Sequence, residues 1–159
     1  FIMFSWFNVP DDIKQLLILA ADNWQDTSKS QHYINQALIQ TNNSIDVLVA
    51  AYRYFYYKNN YEMALSTASQ VINNIKDSEN LPNNWQQLQS VLSSRKEDSQ
   101  IRLYLNAYAA SGLVLAKLGD IEQAKTICAR IKEIDVNNEF LGASILFDIL
   151  TRTPEEDDE

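Results

Sequence analysis

Apolar residues recur along most of the chain at three- and four-residue spacing, the pattern of helices that bury one stripe. Ile13, Leu16, Leu17 and Ala20 set this pattern after Pro10-Asp11-Asp12, a helix start with acids in the first turn, where the helix dipole favours them. Asparagine pairs interrupt the pattern at Asn42-Asn43, Asn59-Asn60, Asn83-Asn84 and Asn137-Asn138. Asparagine is poor inside a helix and tolerates left-handed turns, so each pair reads as a break. The punctuation predicts helices over 11–23, 29–41, 45–58, 61–76, 84–94, 99–118, 121–134 and 138–151, joined as antiparallel pairs by short turns. With only three glycines and three prolines in 159 residues, turn-dense β architectures are poor candidates and an all-α chain is expected.

Internal repetition carries the most information. Lys58-Asn59-Asn60-Tyr61-Glu62-Met63-Ala64 and Leu118-Gly119-Asp120-Ile121-Glu122-Gln123-Ala124 share one device: a turn, a bulky residue, an acid and then a small alanine. Ile34 to Asn43, before the first copy, and Ile131 to Asn138, after the second, both read as the close of a second helix. These segments resemble the tetratricopeptide repeat family, whose 34-residue unit is a pair of antiparallel helices. Repeats fall at 11–44, 45–78 and 105–138, with an insertion at 79–104 and a capping helix at 139–151. In the last repeat Tyr108, Gly112, Leu115 and Ala124 stand at the family's patterned positions, while Val136 replaces the closing proline. The middle repeat matches through Leu48, Phe55, Tyr61 and Ala64, with Tyr52 at the small position and Lys76 at the proline position; the first keeps Leu17, Ala21, Ser30 and Ala37.

The resemblance implies helix pairs stacked as a short right-handed solenoid with an inserted helix, its concave groove lined by the first helix of each pair. On that basis the partner-binding positions are Leu19, Asp22 and Asn23 in the first repeat, Val49, Arg53, Tyr56 and Tyr57 in the second, and Asn106, Leu113 and Lys117 in the third. Gln15, Val49 and Ala109 stand where members that clamp a carboxylate tail place lysine, so a chaperone-tail receptor is not expected. Independently of any family, helices packed at 8 to 10 Å need small residues at their closest approach, and Gly112 with Ala124 would supply one such crossing. Cys128, one turn after Ala124, is then a small core residue.

Tyr52-Arg53-Tyr54-Phe55-Tyr56-Tyr57 spreads five aromatics over more than a full helical turn, so they cannot all face one core. Tyr52 and Phe55 are the expected buried pair, leaving one or two tyrosines for a recognition surface. Arg53 and Lys117 would favour an acidic segment of a partner protein, and the chain's own tail is one candidate.

The net charge of −8 repels phosphate backbones and argues against nucleic acid as a partner. Much of it sits in Glu155 to Glu159, a solvated tail within 152–159. One cysteine and one histidine, the solvated His32, leave no raw material for a zinc site or a nucleophilic triad, and no glycine-rich phosphate loop is present. No catalysis, cofactor or metal is expected. No apolar run reaches the roughly 18 residues of a membrane span, and the single thiol suits a cytoplasmic setting. The arm at 1–10, with Phe4, Trp6 and Phe7, covers the first helix pair or enters a partner or second copy. These features together predict an adaptor or assembly chaperone that binds a peptide or helix of another protein. The alternatives are a secretion-type chaperone and a structural subunit that dimerises through the arm.

Overall fold

A computed structural model of the chain describes residues 9–135. They form seven helices: α1 (Asp11–Asp22), α2 (Thr27–Gln40), α3 (Ile45–Tyr57), α4 (Tyr61–Ser78), α5 (Trp85–Ser94), α6 (Ser99–Lys117) and α7 (Ile121–Ile134), with no strand among the described residues. The chain is all-α. The expected helix over 138–151, with its capping role, the aromatic residues of the N-terminal arm and the acidic tail lie outside the described residues. None of the described helices is long and apolar enough to cross a membrane.

Turn chemistry sets the helix boundaries. α2, α3, α4 and α6 each end on a residue in the left-handed region: Asn42 (φ 51°), Asn59 (φ 61°), Asn80 (φ 51°) and Gly119 (φ 89°). In each case the next amide reaches back five residues: Asn43 to the Leu38 carbonyl (2.9 Å), Asn60 to Phe55 (2.8 Å), Leu81 to Lys76 (2.9 Å) and Asp120 to Leu115 (2.9 Å). This is the Schellman closure, which satisfies carbonyls that a helix end leaves open. Asn60 and Asp120 then cap the following helix, their side chains accepting from the Met63 and Gln123 amides at 3.4 and 3.3 Å. The two segments matched in the sequence therefore adopt the same turn conformation, and their alanines Ala64 and Ala124 are both buried. Asn84 differs from the other asparagine breaks, because it opens α5 by accepting from the Gln87 amide at 3.1 Å. α2 starts at Thr27, two residues before the expected start, because Asp26 accepts from the Lys29 amide.

Two compact units divide within α4, between Thr67 and Ala68. In the first, α1 packs on α2 and α2 on α3. Ile13, Leu17, Ala20, Ile34 and Ala37 face inward, and α3 buries Val47 through Tyr52 together with Tyr54 and Phe55. A helix apolar around most of its girth is an inner helix, which is why Val49, expected to line a groove, is buried instead. In the second unit α6 packs on α7 and α5 on α7. A Cβ built on Gly112 would lie 3.0 Å from Ile127 Cγ2 and 3.3 Å from Cys128 Sγ, so the tight crossing exists and its facing residues are Ile127 and Cys128. Burial pushes the Cys128 thiol above its ordinary range. The expected insertion at 79–104 contains α5 and ends inside α6, whose first turns are residues 99–104. Arg95 bridges Glu79 and Asp98 at that junction. Asp98 in turn caps α6 by accepting from the Gln100 amide at 2.8 Å. The Arg95 bond and that amide hold the Asp98 carboxyl below the usual range.

Candidate functional site

In the first unit the turn after α1 and the turn after α3 meet. Lys58 Nζ donates to the Trp24 carbonyl and to Thr27 Oγ1 (3.3 Å), and lies 4.1 Å from the centroid of the Trp24 ring. The ammonium is thus held by a carbonyl and a hydroxyl and lies over a π face. Trp24 stands edge-on to the buried Tyr54, centroids 5.6 Å apart at 87°. Trp24 and Lys58 are 34 residues apart, so the contact joins equivalent positions of the first two proposed repeats.

Beside this junction the end of α3 carries a tyrosine group. Tyr56 packs edge-to-face with Tyr57 (5.6 Å, 81°) and with Tyr61 (6.0 Å, 65°), and Tyr61 donates its hydroxyl to Asn59 Oδ1 at 2.9 Å. Tyr57 is 55 % exposed and Met63 38 %. Mutual packing restricts the rings, and a surface already ordered loses less entropy in forming a contact. Of the residues expected to bind a partner, Leu19 and Asp22 are exposed, and Asn23 is half-buried with Nδ2 on the Leu19 carbonyl at 2.8 Å. Arg53 and Tyr56 are half-buried and Val49 is core. Asn106 and Leu113, half-buried, and Lys117, exposed, belong to α6 in the second unit. Trp24, Lys58 and Tyr61 were not among the expected residues. The signal that finds Trp24 and Lys58 is their 34-residue separation, and Tyr61 stands in the repeated turn itself.

In the second unit Tyr104 is buried and stacks on Tyr108, centroids 5.9 Å apart at 28°. Burial, reinforced by Tyr108, pushes its hydroxyl up to about 12. The folded state therefore holds this proton between pH 10 and 12 when an unfolded tyrosine releases it. The resulting stability is complete below pH 10 and lost as pH rises toward 12. Urea midpoints measured across that window should fall less steeply in Tyr104→Phe than in the parent chain, and equal slopes would remove Tyr104 as a cause.

The described side chains at the end of α3 present packed aromatic faces and hydroxyls. Among the described residues no group of three or more His, Cys, Asp or Glu side chains is placed to hold a metal. No family model matches the chain, and no solved structure matches it significantly. It is similar to a protein of Azotobacter chroococcum mcd 1 described as an uncharacterized 19.8 kDa protein in the nifW 5′ region, with 33% identity over 109 residues that cover 67% of this chain. The chain spans 60% of that relative's length.

Proposed function

We propose that this chain is a tetratricopeptide-like helical-repeat module, an adaptor or assembly chaperone that holds a segment of another protein. The observation that carries the reading is periodic. α3 starts 34 residues after α1, α4 starts 34 residues after α2, and Lys58 bonds to Trp24 across the same interval. Such an interval between contacting turns is what stacked helix hairpins require. The turn shared by residues 58–64 and 118–124 adds a second line of support. The binding surface in this reading is the end of the first unit, with Leu19, Asp22, Tyr56, Tyr57 and Tyr61. Tyrosines dominate binding energy in many interfaces because each supplies a large rigid face and a polar tip.

The test is comparative affinity capture with the full chain, Tyr56→Ala, Tyr57→Ala and a surface control, Ile39→Ala, on a residue 78 % exposed in α2. Helicity of each variant is measured first. Proteins retained by the control and lost from both tyrosine variants are the expected result. Capture that is identical across all four chains overturns this surface.

A further inference from the structure

The insertion helix α5 begins with Trp85, and its side chain meets α7. The Arg130 guanidinium lies 4.7 Å from the centroid of the Trp85 ring, and Arg130 Nη1 donates to the Tyr108 hydroxyl at 3.2 Å. Trp85 Nε1 donates to Glu133 Oε2 at 3.3 Å. Trp85, Tyr108 and Arg130 are each half-buried, and Glu133 is exposed.

A guanidinium has five N–H donors in a rigid fork suited to a carboxylate. Here the Tyr108 hydroxyl takes one of them. Among the described residues no carboxylate forms an ion pair with Arg130. That is unexpected in a chain with 21 acids, and above all because Glu133 stands one turn away. Glu133 is engaged by the indole instead. Docking of α5 does not require the cation, since Leu88 and Leu92 are already buried. What results is a cation held in place by an aromatic face and a hydroxyl, partly withdrawn from water, with most of its fork left unoccupied by the described residues. Trp, Tyr and Arg are also the residue types that most often dominate binding interfaces.

We propose that Trp85, Tyr108 and Arg130 form a second binding site, in the second unit, that takes one Asp or Glu side chain of a partner protein's peptide segment. The carboxylate pairs with the Arg130 fork, and an apolar neighbour in the segment lies on the exposed part of Trp85. Charge selects the ligand: a carboxylate forms charge-assisted bonds with the Arg130 fork that a neutral amide cannot match, and Glu133, one turn away, lowers the affinity for any anion. The site involves none of the first unit's tyrosines and stands or falls without them.

The test uses the full chain and a capped pentapeptide with one glutamate flanked by leucines, beside its glutamine counterpart. Two-dimensional NMR reads the Trp85 indole N–H, assigned among three tryptophans by Trp85→Phe, and the Arg130 Nε–H. Both signals should shift saturably with the glutamate peptide and stay still with the glutamine one. Arg130→Gln should weaken binding about tenfold, or about 1.4 kcal/mol. Glu133→Gln should strengthen it several-fold, an outcome that misfolding cannot produce. Equal shifts with both peptides, unchanged affinity in Arg130→Gln, or weaker binding in Glu133→Gln would overturn the site.

Discussion

Gly112→Leu should lower the stability of the chain by about 1 to 3 kcal/mol, the usual cost of overpacking a filled crossing. The first carbon of the new side chain would already stand 3.0 Å from Ile127 Cγ2 and 3.3 Å from Cys128 Sγ, and leucine adds three more carbons beyond it. Gly112→Ala is a different case. Alanine gains up to about 1 kcal/mol in helix propensity over glycine, and the half-buried Ile127 can give by a few tenths of an ångström. It should stay within about 1 kcal/mol of the parent. The interaction is isolated by a double-mutant cycle: Ile127→Ala removes the obstructing methyl, so Gly112→Leu should cost less in that background than alone. Urea midpoints of the four chains decide it. A Gly112→Leu chain with the parent midpoint, or costs that simply add, would mean that α6 and α7 do not cross closely here.

The glycine side of that crossing was legible in the sequence because a lone glycine in an apolar helix is a local signal; the partner was not, since the small-residue pattern pairs Gly112 with Ala124 and the residues nearest it are Ile127 and Cys128. The helix ends were legible because their signals too are local. Left-handed Asn42, Asn59 and Gly119 announce themselves by residue type, and the Asn-Asn breaks fall where α2 and α3 end. Asn80 does not, since Glu79-Asn80-Leu81 contains no pair, and α4 runs to Ser78, past the expected 76. Two things depended on what each helix packs against. Val49 lies on a face that an outer helix would expose, yet α3 is covered on nearly every side. The Trp85–Arg130 contact joins residues 45 apart across an insertion that follows no period, so no spacing rule points to it. The tyrosine surface falls between these cases: the crowding of aromatics showed that some must emerge, and only packing selects Tyr57.

Tyr54 lies deeper than the sequence suggested, and its removal should produce the largest loss of all. It is fully buried, edge-on to Trp24 and to Phe55 (5.4 Å, 73°), and its hydroxyl is hydrogen-bonded to Ser30 Oγ, itself fully buried. Ser30 Oγ also donates to the Thr27 carbonyl at 3.3 Å, which leaves Tyr54 as the donor in their shared bond. Burial raises the Tyr54 hydroxyl above its ordinary range and the Ser30 bond offsets part of this. Tyr54→Ala should therefore cost about 3 to 5 kcal/mol, as for other large aromatic-to-alanine deletions in cores. The two ends of the hydrogen bond should behave unequally. Tyr54→Phe removes the donor and leaves Ser30 bonded to Thr27, for about 1 kcal/mol; Ser30→Ala leaves a buried phenol with no acceptor, for about 1 to 3 kcal/mol. Combining Ser30→Ala with Tyr54→Phe removes both polar groups together and should cost less than the two single changes summed. Denaturation midpoints test the order; a larger loss in Tyr54→Phe than in Ser30→Ala, or strict additivity, would show that the bond is not made. The same ring backs Trp24, over which Lys58 sits, so Tyr54→Ala should also loosen the junction beside Tyr56 and Tyr57 and, on the proposed function, abolish partner capture, whereas Tyr54→Phe, which keeps the ring, should retain it.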